Sequence, residues 1–127
     1  MTLPTSFTTL VAWLNQEFKQ TEQEATAGLN LARTALSRFP DNVLLIQFFA
    51  YLSDVLLFVD ISKRQLQITI ETVSTTDVPT EVVQDAGEEL ATLLGRVLEA
   101  KIDARQIIIR LQNLSWNNYP MRNNLLN

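Results

Sequence analysis

Residues 43–61, with the sequence VLLIQFFAYLSDVLLFVDI, form the most hydrophobic stretch of this chain and decide its fold. On a helical wheel apolar side chains lie on all sides of this stretch. Even its least apolar arc carries Ile46, Ala50 and Leu57 between two pairs of polar residues. A helix that is apolar all round is normally surrounded by other helices. We therefore predict that residues 43–61 are the buried central helix of an all-α domain.

The same stretch is long enough to raise the question of a membrane span. It contains Asp54 and Asp60 as well as Gln47. A central aspartate costs about 2.5–3.5 kcal/mol on membrane-insertion scales. We therefore expect a core helix and no membrane span.

Four prolines, at positions 4, 40, 79 and 120, divide the chain into three long proline-free segments. Proline ends helices, and apolar residues recur at helical spacing through most of each segment. The length is that of a single domain, residues 1–127. Residues 115–127, SWNNYPMRNNLLN, are rich in asparagine and are expected to form a tail after the last helix.

Two architectures agree with this pattern. If each segment is one long helix, the protein is a three-helix bundle about 50 Å long. If each segment is a helical hairpin, six helices form, with lengths nearer the average of about 11–12 residues. The middle of each segment is polar and contains a capping-box spacing that signals a helix start, namely Thr21 with Glu24, Ser62 with Gln65, and Asp103 with Gln106. We therefore prefer three helical hairpins around the central helix, with Asp41 as the N-cap of that helix.

A segment at the first internal proline is similar to a known repeat family. A period near 40 residues is typical of helical repeats. The residues that carry the resemblance are Ala32, Ala35, Leu36, Phe39, Pro40, Asp41 and Asn42. They resemble the end of one tetratricopeptide-type repeat and the start of the next. The resemblance implies stacked helical hairpins that bind a peptide or protein on their concave face.

The composition excludes several functions. The formal charge is −4, and the few basic residues are scattered among acids, so we expect no binding to nucleic acid. The chain has no cysteine and no histidine, which excludes thiolate or histidine metal sites and histidine-activated nucleophiles. Only 19 % of the residues are charged, below the usual value of about 25 %, so some apolar surface is expected to lie against a partner or another copy.

Two short patterns have both a structural and a functional interpretation. Glu81, Asp85 and Glu88 lie on one face of a predicted helix, where carboxylates can hold a cation or act as acid and base. Their place near a helix N-terminus explains them without a ligand. Gly87, Ala91 and Gly95 form a small-residue ridge that allows another helix to approach closely. We predict a contact within the chain, with a self-association seam as the alternative.

These observations predict a non-enzymatic adaptor or self-assembly module that uses no cofactor and binds a protein partner, itself as a homodimer, or both. The candidate interaction residues are Ile46, Leu57, Trp116, Tyr119 and Met121. A carrier or sensor that holds a small apolar ligand in its helical core, beside Phe48, Phe49 and Tyr51, is the alternative. The first basic residue is Lys19, so no charged leader opens the chain and we expect a cytoplasmic protein.

Overall fold

The computed structural model of the protein describes residues 3–75 and 77–117, with side chains as far as Leu114. It contains three α-helices: α1 (Thr5–Arg38), α2 (Val43–Val73) and α3 (Thr80–Asn117). At 1.5 Å per residue each is about 50 Å long. The all-α prediction is confirmed. The prediction of six helices in three hairpins is wrong, because each proline-bounded segment is one continuous helix.

The helices end near the prolines, and local side chains close their ends. Pro4 immediately precedes α1, and Pro40 lies in the turn between α1 and α2. The N-cap of α2 is Asn42, one residue after the predicted Asp41. Its side-chain oxygen accepts a hydrogen bond of 3.1 Å from the backbone N–H of Leu45. The segment that resembles a tetratricopeptide repeat is thus the end of α1 and the turn into α2, and the resemblance itself stays a prediction.

The second connection follows Val73 and leads to Pro79. Among its described residues, Asp77 has a φ of 63°, in the left-handed region that aspartate tolerates better than most side chains. The described residues 74–75 and 77–79 form the loop between α2 and α3. At the other end of α3, the helix continues to Asn117, three residues into the predicted tail.

The capping-box spacings in the middle of the segments do not mark helix starts. Thr21 and Ser62 are buried in the interiors of α1 and α2. Asp103 accepts a hydrogen bond from Tyr51 across the interface between α2 and α3. These short polar patterns lie where the helices face one another. With no proline between the helix ends, each backbone ladder runs through uninterrupted.

The helices run up, down and up, with α1 in the middle of the arrangement. The pair Glu22–Lys63 joins α1 to α2 in antiparallel sense, and Glu24–Arg105 joins α1 to α3 in parallel sense. Helix α1 packs extensively on both other helices, whereas α2 and α3 meet over less of their length. The prediction that residues 43–61 form the central helix is therefore wrong, since the helix with two large interfaces is α1.

The core consists of two apolar clusters separated by a polar level. The cluster around the start of α1 contains Phe7, Leu14, Phe18, Val59, Leu66, Val73, Val83, Ala86, Leu90, Leu93, Leu94 and Val97. The cluster around the end of α1 contains Leu29, Ala32, Leu45, Phe48, Leu52, Ala104 and Leu111. Between them lie the buried Thr21 and an ion pair that links α1 to α3.

That ion pair joins Glu17 of α1 to Lys101 of α3. The ammonium nitrogen of Lys101 is 2.5 Å from Glu17 Oε1, and the two side chains are only 12 % and 10 % exposed. The indole N–H of Trp13 donates to the other carboxylate oxygen over 3.3 Å. A charge removed from water is tolerated when it is paired and hydrogen-bonded, so each partner needs the other.

We predict that Lys101→Met lowers the free energy of unfolding by about 3 kcal/mol, because it leaves the Glu17 carboxylate buried without its cation. The matched control is Lys63→Met, which removes the Glu22–Lys63 pair, whose side chains are 44 % and 50 % exposed. That exposed pair contributes at most about 1 kcal/mol. Urea unfolding followed by circular dichroism measures both. Equal losses in the two variants would contradict a special role for the buried pair.

Side chains of both neighbouring helices pack tightly against Gly28 of α1. A Cβ added there would lie 2.9 Å from side-chain atoms of both Ile108 and Leu52, on α3 and α2. The predicted ridge on α3 makes no such contact. A Cβ on Gly95 meets nothing within 4 Å, and one on Gly87 meets only the ring of Phe7, at 4.0 Å. The predicted close contact is therefore absent at Gly95, whereas Gly87 and Ala91 line an open groove between α3 and the start of α1.

We predict opposite steric outcomes for Gly28→Ala and Gly95→Ala. Both substitutions gain the same helix propensity, about 1 kcal/mol. At Gly95 this gain is kept, so the free energy of unfolding rises. At Gly28 the added methyl group must displace two side chains, and overpacking of this kind costs about 1–3 kcal/mol. Denaturant unfolding should therefore show Gly28→Ala less stable than Gly95→Ala by more than about 1 kcal/mol; equal gains would disprove the close approach.

Candidate interaction surface

The side of α2 that faces away from the core is apolar along most of the helix. We name this surface the outer stripe. It consists of Val43, Ile46, Ala50, Leu57, Ile61 and Ile68. At 100° per residue these positions fall within an arc of about 60°. The large side chains of the stripe are between 47 % and 64 % exposed.

The opposite side of α2 supplies the core. Its buried apolar residues are Leu45, Phe48, Leu52, Val55, Val59, Leu66 and Val73. Helix α2 therefore has two apolar sides, and only one of them is covered within the chain. The prediction of a helix surrounded on all sides is wrong for this reason: the sequence shows that a face is apolar but not whether its neighbour belongs to the same chain.

In the described part of the chain, α2 is the helix that meets the length and composition criteria for a membrane span. Its most apolar 18-residue window has a mean hydropathy of 1.9, and only 28 % of that window is buried. An apolar core helix of a soluble protein meets the same criteria, but such a helix is mostly buried. The low burial therefore indicates that much of the apolar surface of α2 is not covered within the chain.

Two opposite charges interrupt the outer stripe. Asp54 lies one turn before Leu57, and Arg64 lies one turn after Ile61, and both are exposed. The guanidinium of Arg64 also contacts the Asp60 carboxylate on the same helix, at 2.6 Å between Nη2 and Oδ2. Read along the helix, the stripe has an acidic position in its first half and a basic position in its second half.

Next to the outer stripe, α2 and α3 enclose an open groove of about 310 Å³. It is lined by Tyr51, Asp54, Val55, Phe58, Arg96, Glu99, Ala100 and Asp103. The Tyr51 hydroxyl donates a hydrogen bond of 3.1 Å to Asp103 Oδ2 across the groove. The volume is at the lower end for small-molecule sites, of about 300–1,000 Å³. Half of the lining side chains are charged, which makes the groove a poor site for a purely apolar ligand.

The groove raises the pKa of the Tyr51 hydroxyl above its ordinary value. Burial is the largest cause, because it disfavours the tyrosinate anion. The hydrogen bond to Asp103 and the negative charges of Asp103 and Glu99 act in the same direction. The folded state therefore holds this proton more tightly than the unfolded state. Any stability from this linkage is complete below a pH of about 10, the ordinary tyrosine pKa, and is lost as the pH rises above it.

We predict that ultraviolet absorbance of tyrosinate in the Tyr119→Phe variant gives a titration midpoint above about 10. In that variant Tyr51 is the remaining tyrosine, since the chain contains two. Adding Asp103→Asn should lower the midpoint but not abolish the whole rise, because burial remains. A midpoint unchanged by Asp103→Asn would show that the carboxylate does not influence the hydroxyl.

The structure places the predicted interaction residues in two groups. Ile46 and Leu57 both lie on the outer stripe. Trp116 belongs to the last turn of α3, with its side chain outside the described part of the structure, and Tyr119 and Met121 lie outside the described residues. Sequence reasoning missed Val43, Ile61 and Ile68 as members of the same surface. The signal was available, because all three share the helical-wheel arc of Leu57.

The residues proposed around an apolar ligand do not form one cavity. Phe48 is buried in the core, and the Arg110 guanidinium lies over its ring at 5.1 Å from the centroid. Phe49 is half-buried, with the Arg33 guanidinium 5.7 Å from its ring centroid. Tyr51 faces the groove. The two phenylalanines are thus explained by packing and by cation–π contacts.

The carboxylates at the start of α3 lie in solvent. Glu81, Asp85 and Glu88 are all exposed. Within the described residues, no group of three or more metal-binding acidic side chains comes together. The outer stripe is therefore the feature of this structure that most requires a functional explanation.

Comparison with protein-family models, with curated proteins and with solved structures gave no match to this chain.

Proposed function

We propose that this protein is a non-enzymatic interaction module whose binding surface is the outer stripe of α2. The observation that carries the proposal is the exposure of this apolar side while the opposite side of the same helix fills the core. Five large apolar side chains are exposed on one side of this helix over about 25 residues, and exposed apolar patches of this kind are typical of binding sites.

The position of the stripe supports binding to a helix or a sheet of another chain. Val43 and Ile68 are separated by about 37 Å along the helix axis. The stripe is convex and uninterrupted by loops, so a partner would lie lengthwise against it. Interfaces of this kind bury the apolar residues at their centre and keep charged residues at the rim. The exposed Asp60 is suited to such a rim.

We predict that Leu57→Glu weakens association by at least about tenfold, since a charge at the centre of the stripe would have to be buried. The matched control is Ile109→Glu, because Ile109 on α3 is 55 % exposed and Leu57 is 58 % exposed. Light scattering measures the mass of the purified chain against the 14.4 kDa of one copy. Mass spectrometry after mild purification identifies any protein that accompanies it.

The two variants distinguish binding through the outer stripe from nonspecific hydrophobic association. Loss of the assembly in Leu57→Glu but not in Ile109→Glu supports the outer stripe as the binding surface. Circular dichroism must show that both variants remain helical. A wild-type chain that stays at 14.4 kDa and carries no stoichiometric protein would contradict the proposed function.

A further inference from the structure

We infer that the occupant of the outer stripe is a second copy of this chain, with the two α2 helices antiparallel and related by a two-fold axis that passes between them at the level of residue 59. This inference rests on the proposed function, since it names the partner of the same surface. It follows from the two opposite charges beside the stripe, which face each other across an antiparallel pair of α2 helices.

The antiparallel register is chosen by the two charges, and in it Ile46 lies opposite Thr72 while Val43 extends beyond the end of the partner's α2. When Leu57 of one copy lies opposite Ile61 of the other, Ala50 lies opposite Ile68, which pairs a small with a large side chain. The same register brings Asp54 opposite Arg64, so opposite charges meet. Two-fold symmetry repeats each of these pairs, as in an isologous interface. The spacing of three and four residues between these positions is that of a helix–helix seam.

The charges distinguish this arrangement from a parallel one. In a parallel pair Asp54 would face Asp54 and Arg64 would face Arg64, and like charges oppose association. In the antiparallel pair each Asp54 faces the Arg64 of the other copy, so opposite charges meet. Arg64 already holds Asp60 on its own helix. Its guanidinium has donors enough to contact a second carboxylate at the same time.

The structure leaves room for this dimer. The outer stripe points away from α1 and α3, because the buried residues of α2 occupy the opposite side of the helix. Two bundles can therefore meet back to back through α2 without any change in their cores. Neither copy would need to open, and the groove at Tyr51 would border the interface at Asp54.

The absence of cysteine from the chain makes the register directly measurable. Ala50→Cys and Ile68→Cys each introduce a single thiol at an exposed position. In the inferred dimer, residue 50 lies opposite residue 68 of the other copy and about 27 Å along the axis from residue 50 of that copy. A disulfide needs Cα atoms within about 7 Å. Mild oxidation should therefore cross-link a mixture of the two variants, one of them tagged, and should not cross-link either variant alone.

A charge exchange gives a second measurement on the intact chain. Asp54→Arg or Arg64→Asp alone should raise the dimer dissociation constant by about tenfold or more, because like charges then meet twice in each dimer. The double variant Asp54→Arg with Arg64→Asp restores opposite partners and should recover to within a few-fold of wild type. In a parallel dimer every one of these variants still places like charges opposite each other, so neither the single variants nor the double variant should change the dissociation constant appreciably.

The outcomes separate this inference from the proposed function. If the wild-type chain forms a dimer but each cysteine variant cross-links with itself, or none of them cross-links, the register is overturned while the binding surface stands. If the wild-type chain stays at 14.4 kDa, the second copy is not the occupant, and the inference fails. In that case a co-purified protein retains the proposed function, whereas flotation with phosphatidylcholine vesicles would reveal a lipid surface instead.

Discussion

Each helix in a three-helix bundle has two neighbours and keeps one side toward solvent. In this protein the constraint matters most for α2, because apolar side chains lie on most sides of that helix. Helix α1 uses its two interfaces fully, and α2 and α3 meet over less of their length. The bundle therefore covers one side of α2 and leaves the outer stripe open. The proposed association follows from this arrangement, because α2 has too few neighbouring helices to cover all of its apolar sides. The low content of charged residues agrees with such an uncovered apolar surface.

Whereas the outer stripe is apolar and exposed, the middle of the bundle contains charged side chains that are buried. Glu17 and Lys101 lie between the two apolar clusters, where each charge has lost most of its water. Such a pair adds little net stability compared with apolar side chains, but it penalises arrangements that separate its members. A shift of α3 by one turn against α1 would move Lys101 by about 5.4 Å away from Glu17. Together with the Glu24–Arg105 pair one turn later, it selects the parallel register of α1 and α3.

The sequence allowed the class and the segment boundaries to be predicted, since Pro40 and Pro79 stop helices for local reasons. It did not reveal that each segment is a single helix. Thr21 and Ser62 carry the spacing of helix starts, and a pattern of two polar residues cannot show whether it caps a backbone or faces a neighbouring helix. The prediction from the small residues was inaccurate for a similar reason, because their spacing does not show which of them meets a neighbouring helix. Gly28 stands alone in sequence yet is tightly packed against Leu52 and Ile108, whereas the regular ridge faces open space at Gly95.

Two of the six residues of the outer stripe, Ile46 and Leu57, were identified from the sequence. The helical wheel also places Ile61 and Ile68 on the same arc, but an all-round apolar helix gives no reason to expect that arc to be exposed. Only the structure divides that helix into a covered and an uncovered side.

In the dimer that we infer, Asp54 and Arg64 are the residues that give the outer stripe its specificity. An acyl chain or a simple apolar groove offers neither of them a partner, so burial against such a surface would cost the full desolvation of both charges. A second α2 in antiparallel sense offers each charge its opposite at the position where it is needed. Desolvation then still costs free energy, but the wrong orientation costs more, because it brings like charges together. In the inferred dimer the apolar residues thus drive association, and the two charges select a second copy of α2 in the antiparallel orientation.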